Sequence, residues 1–224
     1  MDETQAVFVD SSRGRGAAYS ALAGGIAGFV WGGVGGRVAM RVVFLTSDDR
    51  VRGVISDDGF EIGRISFETI GLLVFATFLG VIGGLTYGFV RMLLRGPTWV
   101  VAMAVGVAVG SGVGALIVKP GVDFELLEPL WLTIGLFVLI PGAWGVTVVL
   151  LTERLLRKAT VPATAPSQVP TRRRGTIGRV VAWLLWPPFM RRWGTRASVV
   201  GWFLLAAITL AGVIDLTRDV ARLT

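Results

Sequence analysis

The sequence predicts an all-α integral membrane protein: a polytopic bundle of glycine-ridged helices with five spans, one interfacial or re-entrant segment and a small extracytoplasmic β-hairpin. Three observations predict it. Apolar residues make up 53% of the 224-residue chain, and mean hydropathy is +0.70. Charged residues amount to only 17% and fall between long apolar runs. Glycine recurs every four residues in three successive runs. Apolar runs of roughly 18 residues or more read as transmembrane helices. These runs also lack the polar face that a helix in water needs.

Residues 1–16, MDETQAVFVDSSRGRG, form a polar tail containing Asp2, Glu3 and Asp10. A secretory signal has a short basic start and a short apolar core before its cleavage site. The run that follows is longer, so it reads as an uncleaved first span, Ala17 to Leu45. It holds seven glycines, of which Gly24, Gly28, Gly32 and Gly36 are four apart and form a side-chain-free ridge on a helix. Arg37 and Arg41 share a face just beyond that ridge. If the helix enters lipid at Ala17, Arg37 lies about 30 Å further along, where both arginines snorkel to headgroups. If it enters nearer Leu22, Arg37 lies inside the bilayer and needs a partner, with Glu68 the nearest candidate. In that case the two arginines and nearby backbone N–H groups suit an anionic ligand or lipid headgroup.

The outer loop, 46–66, contains RVRGVISDDGFEIGRIS, in which apolar and polar residues alternate around Asp57-Asp58-Gly59. Asp-Gly between alternating runs is a hairpin signal. Asp48, Asp49, Asp57 and Asp58 offer hard oxygen ligands, but their spacing matches no calcium loop and Arg50, Arg52 and Arg64 interleave. They read as solvated or arginine-paired, and no metal site or cofactor is expected.

The second span runs from about Phe67 to Leu94 and the third from Thr98 to Val118. Gly80, Gly84 and Gly88 repeat the four-residue spacing in the second, as do Gly106, Gly110 and Gly114 in the third. Helices in lipid associate through packing, and small residues let their backbones approach. The first two spans end in GGVGGRVAMR and GVIGGLTYGFVR, a faint inverted repeat of the kind found in transporters. The fourth span, Leu130 to Leu151, carries Pro141, expected to kink it. A four-helix core over 17–151 is thus followed by a basic, Pro/Ala-rich linker over 152–178.

Residues 179–196 include VVAWLLWPPFM, whose eleven residues reach only about 16 Å as helix. Pro187 and Pro188 stop it from crossing, so it reads as interfacial or re-entrant. The last span begins at Ala197, in a final segment 197–224. With the N-terminus in the cytoplasm, 14 of the 22 basic and 4 of the 15 acidic residues fall inside, leaving 8 and 11 outside. That is the positive-inside pattern, and the scarcity of lysine beside abundant Arg, Gly, Ala and Val is the bias of a GC-rich bacterial genome, so a bacterial inner membrane is the expected location. Six spans is the rival topology.

The chain has no cysteine and no histidine, so it lacks thiol nucleophiles and the commonest general base and metal ligand. Gly110-Ser111-Gly112 has no histidine to activate its serine, and there is no phosphate loop. The basic linker and the tryptophans after it suit anionic inner-leaflet lipids. Nucleic acid is not an expected partner, because the charge is juxtamembrane and no recognition fold accompanies it. Gly32 to Arg41 together with Ser56-Asp57-Asp58-Gly59-Phe60 resembles uncharacterised multi-pass membrane proteins of actinobacteria and similar GC-rich bacteria. The resemblance implies a bacterial source and no activity. The expected function is a non-enzymatic scaffold or lipid-interacting component, with a homo-oligomer or another membrane protein as partner. The alternative is a small-solute or anion carrier or channel using Arg37, Arg41 and the Pro141 kink.

Overall fold

Hydrocarbon offers no hydrogen-bond partner, so an apolar run must satisfy its own N–H and C=O groups by coiling into helix. All regular structure among the described residues of this computed structural model (3–47, 68–119, 129–160 and 194–223) is helical. The hairpin expected within 50–66 and its acidic pairs lie outside the described residues. So do the linker over 161–178 and the segment 180–190.

The first helix is longer than its apolar run. It begins as α1 (Glu3–Ala27), continues through a π-helical stretch (Gly28–Gly35) and ends as α2 (Gly36–Thr46). Then follow α3 (Glu68–Val90), α4 (Thr98–Ile117), α5 (Leu130–Thr160) and α6 (Gly194–Leu223). Among the described residues, five stretches are long and apolar enough to cross a membrane: Arg15–Thr46, Thr69–Val90, Thr98–Ile117, Leu130–Ala159 and Ser198–Leu223. The shortest has 20 residues, about 30 Å of helix, which matches the hydrocarbon thickness of roughly 30 Å. This is the architecture of a multi-pass membrane protein.

The ends follow local chemistry. At the close of α2, the hydroxyls of Thr46 and Ser47 donate to Val42 O (3.1 Å) and Val43 O (2.8 Å), satisfying last-turn carbonyls. Pro97 stands at the N-cap of α4, where the missing N–H costs no helical bond. α5 continues as one helix of 31 residues through Pro141. Hydroxyls inside the spans bond back to their own helices: Thr77 to Leu73 O at 2.7 Å, Ser111 to Val107 O at 2.8 Å and Thr209 to Leu205 O at 2.8 Å.

Contacts fix the order of the bundle. Gly28 approaches Gly80, Gly24 approaches Gly84 and Ser20 approaches Gly88, so α1 and α3 run antiparallel. Likewise Gly114 lies by Val138 and Gly106 by Val146, making α4 and α5 antiparallel. α6 runs parallel to α4, with Gly201 beside Leu93 and Gly212 beside Gly112. α6 therefore starts at the end where α5 finishes, which is also the end carrying Arg91. Six crossings would require α6 to run the other way.

Side-chain size is distributed in reverse of a water-soluble core. Among the described residues, the side chains fully cut off from the surface are no larger than valine, as at Val43, Val118, Val148 and Val149, although Tyr87 and Leu94 are nearly so. Large ones such as Phe78, Leu116, Leu139 and Phe203 face outward. Water does not drive helices together in lipid, so close backbone approach replaces burial of bulk. Trp99, in the first turn of α4, and Trp131, in the first turn of α5, stand exposed at opposite ends of the bundle. Tryptophans favour both membrane–water interfaces.

Candidate functional site

Arg37 and Arg41 lie on α2. Gly33 abuts Leu73 across the antiparallel α1–α3 seam, so Arg37, four residues later, stands level with Thr69, the second residue of α3. α3 has 23 residues, about 34 Å, so its whole length is needed to cross and its first turn is interfacial. Arg37 thus belongs to the end of the bundle and not to its middle. Arg37 is half-buried and Arg41 exposed, and the Arg41 guanidinium carbon sits 5.4 Å from the Phe44 ring centre, within cation–π range. Glu68 opens α3, but its side chain lies outside what is described.

At the opposite end the chain makes a tie that hydropathy does not reveal. The turn after α3 brings Arg91 against Glu153 of α5. Arg91 Nε donates to Glu153 Oε1, and Nη2 donates to Oε2 at 3.1 Å. Two parallel bonds from a planar guanidinium to a carboxylate form the strongest pairing such groups make. The side chains are 34% and 21% exposed, so the pair is partly screened. The hydrogen bond from Glu153 outweighs desolvation and raises the Arg91 pKa above its ordinary value. Nearby, Arg157 Nη2 donates to Thr98 Oγ1 at 3.2 Å, joining α5 to the first residue of α4.

Between these ends, polar groups satisfy one another. Trp31 Nε1 donates to Thr147 Oγ1 at 2.9 Å, and Trp144 Nε1 donates to Gly24 O at 3.3 Å. Both bonds tie the first helix to α5. The Trp144 ring also occupies the place a side chain at Gly83 would take, 2.5 Å from its would-be Cβ.

The glycines singled out in the sequence divide by environment. A Cβ at Gly24 would fall on Gly80 O and lie 2.6 Å from Gly84 Cα. One at Gly84 would fall on Ser20 O, and one at Gly80 on Gly24 O. At Gly28 it would be 2.5 Å from Ala76 O, at Gly32 3.2 Å from Ala76 Cβ, and at Gly88 3.0 Å from Ser20 Cβ. Gly36 has nothing within 4 Å, whereas Gly33 would meet Leu73 Cδ2 at 2.6 Å. The π-helical turns explain this: i→i+5 bonding shifts the facing position from a step of four to a step of five, from 28 to 33. On the other seam, a Cβ at Gly106 or Gly110 would lie 3.0 Å from a backbone oxygen, of Gly142 and Val138 respectively, and one at Gly114 would lie 2.8 Å from Val138 Cγ2. Gly142 and Gly145, which are not among the ridge glycines of the sequence, complete that seam: a Cβ there would lie 3.3 Å from Gly106 O and 3.1 Å from Gly106 Cα respectively. Pro141 sits beside them within α5. Among the described residues, no cluster of three or more His, Cys, Asp or Glu side chains could hold a metal ion.

Comparison with known protein families, with curated proteins and with solved structures finds no match to this chain.

Proposed function

We propose that the chain is a non-enzymatic structural component of a bacterial cytoplasmic membrane, a helical scaffold with its N-terminus inside that engages lipid. The observation that carries it is the closed seam: helix backbones meet at Gly24, Gly80 and Gly84 with no room for a methyl group. Glycines every four residues act here as the packing device, a glycine zipper, on α1, α3 and α4. The sequence of the crossing stretches supports the same reading, since their charged residues stand toward the ends and the runs Gly16–Gly36, Thr69–Val90, Gly96–Val118, Pro129–Thr152 and Ala197–Ile214 contain no Asp, Glu, Lys or Arg. Carriers of ions and anions place such groups within the bundle to contact their cargo. Arg37 and Arg41 act as interfacial anchors for outer headgroups. The basic excess at the other end orients the chain and attracts anionic inner-leaflet lipid.

The test is flux. In proteoliposomes the purified chain should pass chloride and phosphate no faster than protein-free vesicles. Flux above that level which falls in an Arg37→Ala/Arg41→Ala variant would replace the scaffold reading with the carrier reading.

A further inference from the structure

Where α6 passes the turn between α3 and α4, a groove of about 540 Å³ opens on the outer surface of the bundle, lined by Arg95, Ser198, Val199, Trp202, Phe203 and Ala206. Trp202 Nε1 donates to Arg95 O at 3.3 Å, which fixes the indole against the turn. We propose that this groove seats one acyl chain of an anionic phospholipid from the leaflet at the Arg91 end, with its phosphate on the Arg95 guanidinium. The proposal rests on the lipid-engaging part of the scaffold reading and gives it a site.

Three features favour that occupant. The wall of the groove is almost wholly apolar, as an acyl chain requires. Arg95 and Ser198 border it at the end of the bundle, while Val199, Phe203 and Ala206 run deeper. A phospholipid has the same order, headgroup and then chain. The length also fits: Ser198 to Ala206 spans about 12 Å of helix, against about 15 Å for half a hydrocarbon core. Charge selects the headgroup. Arg95 is exposed and makes no ion pair among the described residues. The described acidic side chain at that end, Glu153, is engaged by Arg91.

Native mass spectrometry of the full chain, taken from phosphatidylcholine bilayers doped with phosphatidylglycerol, tests this. The wild type should retain one phosphatidylglycerol in preference to phosphatidylcholine. Arg95→Gln should lower that retention about fivefold, the worth of one surface arginine facing anionic lipid. Ala206→Trp, which fills the groove from an exposed position, should lower it by a similar factor with the helical circular dichroism unchanged. Arg154→Gln, an exposed basic residue at the same end, should have no effect. Equal loss in Arg154→Gln, or full retention in Ala206→Trp, would overturn the groove and leave the lipid-engaging reading standing. A dimer lost in Ala206→Trp with lipid retention unchanged would overturn it too, giving the groove to a second copy. A wild type with no preference for phosphatidylglycerol would overturn both the groove and the lipid-engaging reading.

Discussion

Gly84→Val should destabilise the folded bundle by about 3 kcal/mol, the upper end of the cost of overpacking a close-packed interior. A Cβ at position 84 would fall on Ser20 O and lie 2.9 Å from Gly24 Cα and 3.0 Å from the Ser20 carbonyl carbon. All three are backbone atoms, so no rotamer change relieves the clash. α1 and α3 must separate, and the approaches at Gly24, Gly28 and Gly80 loosen with them. Gly71→Val lies on the same helix with nothing within 4 Å and should change stability by less than about 0.5 kcal/mol. Gly36→Ala should stabilise by about 0.5–1 kcal/mol, since alanine loses less chain entropy than glycine in a helix and has open space there. Reversible unfolding in mixed micelles measures all three, and equal losses for Gly84→Val and Gly71→Val would contradict the closed seam.

The second large effect is at the Arg91–Glu153 tie. Glu153→Ala should cost about 2 kcal/mol, between the value of an exposed pair and that of breaking a fully buried one. The cost arises because Arg91 keeps a partly desolvated charge beside buried Tyr87 after its acceptor is gone. Glu153→Gln, which keeps an acceptor oxygen, should recover part of it. Arg222→Ala breaks an exposed i,i+3 bond to Asp219 and should cost less than about 0.5 kcal/mol. If Glu153→Ala is as mild as Arg222→Ala in the same unfolding assay, the tie is not holding α3 to α5.

The spans were legible because hydropathy is a local, one-dimensional signal. Ala17–Leu45, Leu130–Leu151 and the run from Ala197 each fall within a helix, and Thr98–Val118 exceeds its helix by one residue. What the sequence could not display is pairing. Three spans carry glycines four apart, which suggests that they pack together. The structure instead pairs α1 with α3 and α4 with α5, and the second pairing uses Gly142 and Gly145. Gly142 directly follows Pro141, whose sequence signal is a kink, and Gly145 lies one turn on. Arg91 and Glu153 are 62 residues apart and read only as charges on the same side of the membrane; their bond depends on helix register. The π-helical stretch was also hidden. It is a choice of backbone hydrogen bonding within GFVWGGVG, and hydropathy is blind to it. Its consequence is specific, turning Gly33 and not Gly36 toward Leu73. It also bears on Arg37, whose depth was open in the sequence and which the register places at the level of Thr69.

The seam between α1 and α3 can be read directly, because the chain contains no cysteine. A Cβ at Gly32 lies 3.2 Å from Ala76 Cβ, near the roughly 3.5–4.5 Å between Cβ atoms of a disulfide. Gly36 with Leu72 is the pair that an unbroken four-residue spacing would bring together. Iodine oxidation in native membranes should therefore join Gly32→Cys to Ala76→Cys within one chain, seen as a gel shift that reductant removes, and leave Gly36→Cys/Leu72→Cys unjoined. A bond in the 36/72 pair without one in the 32/76 pair would contradict the account.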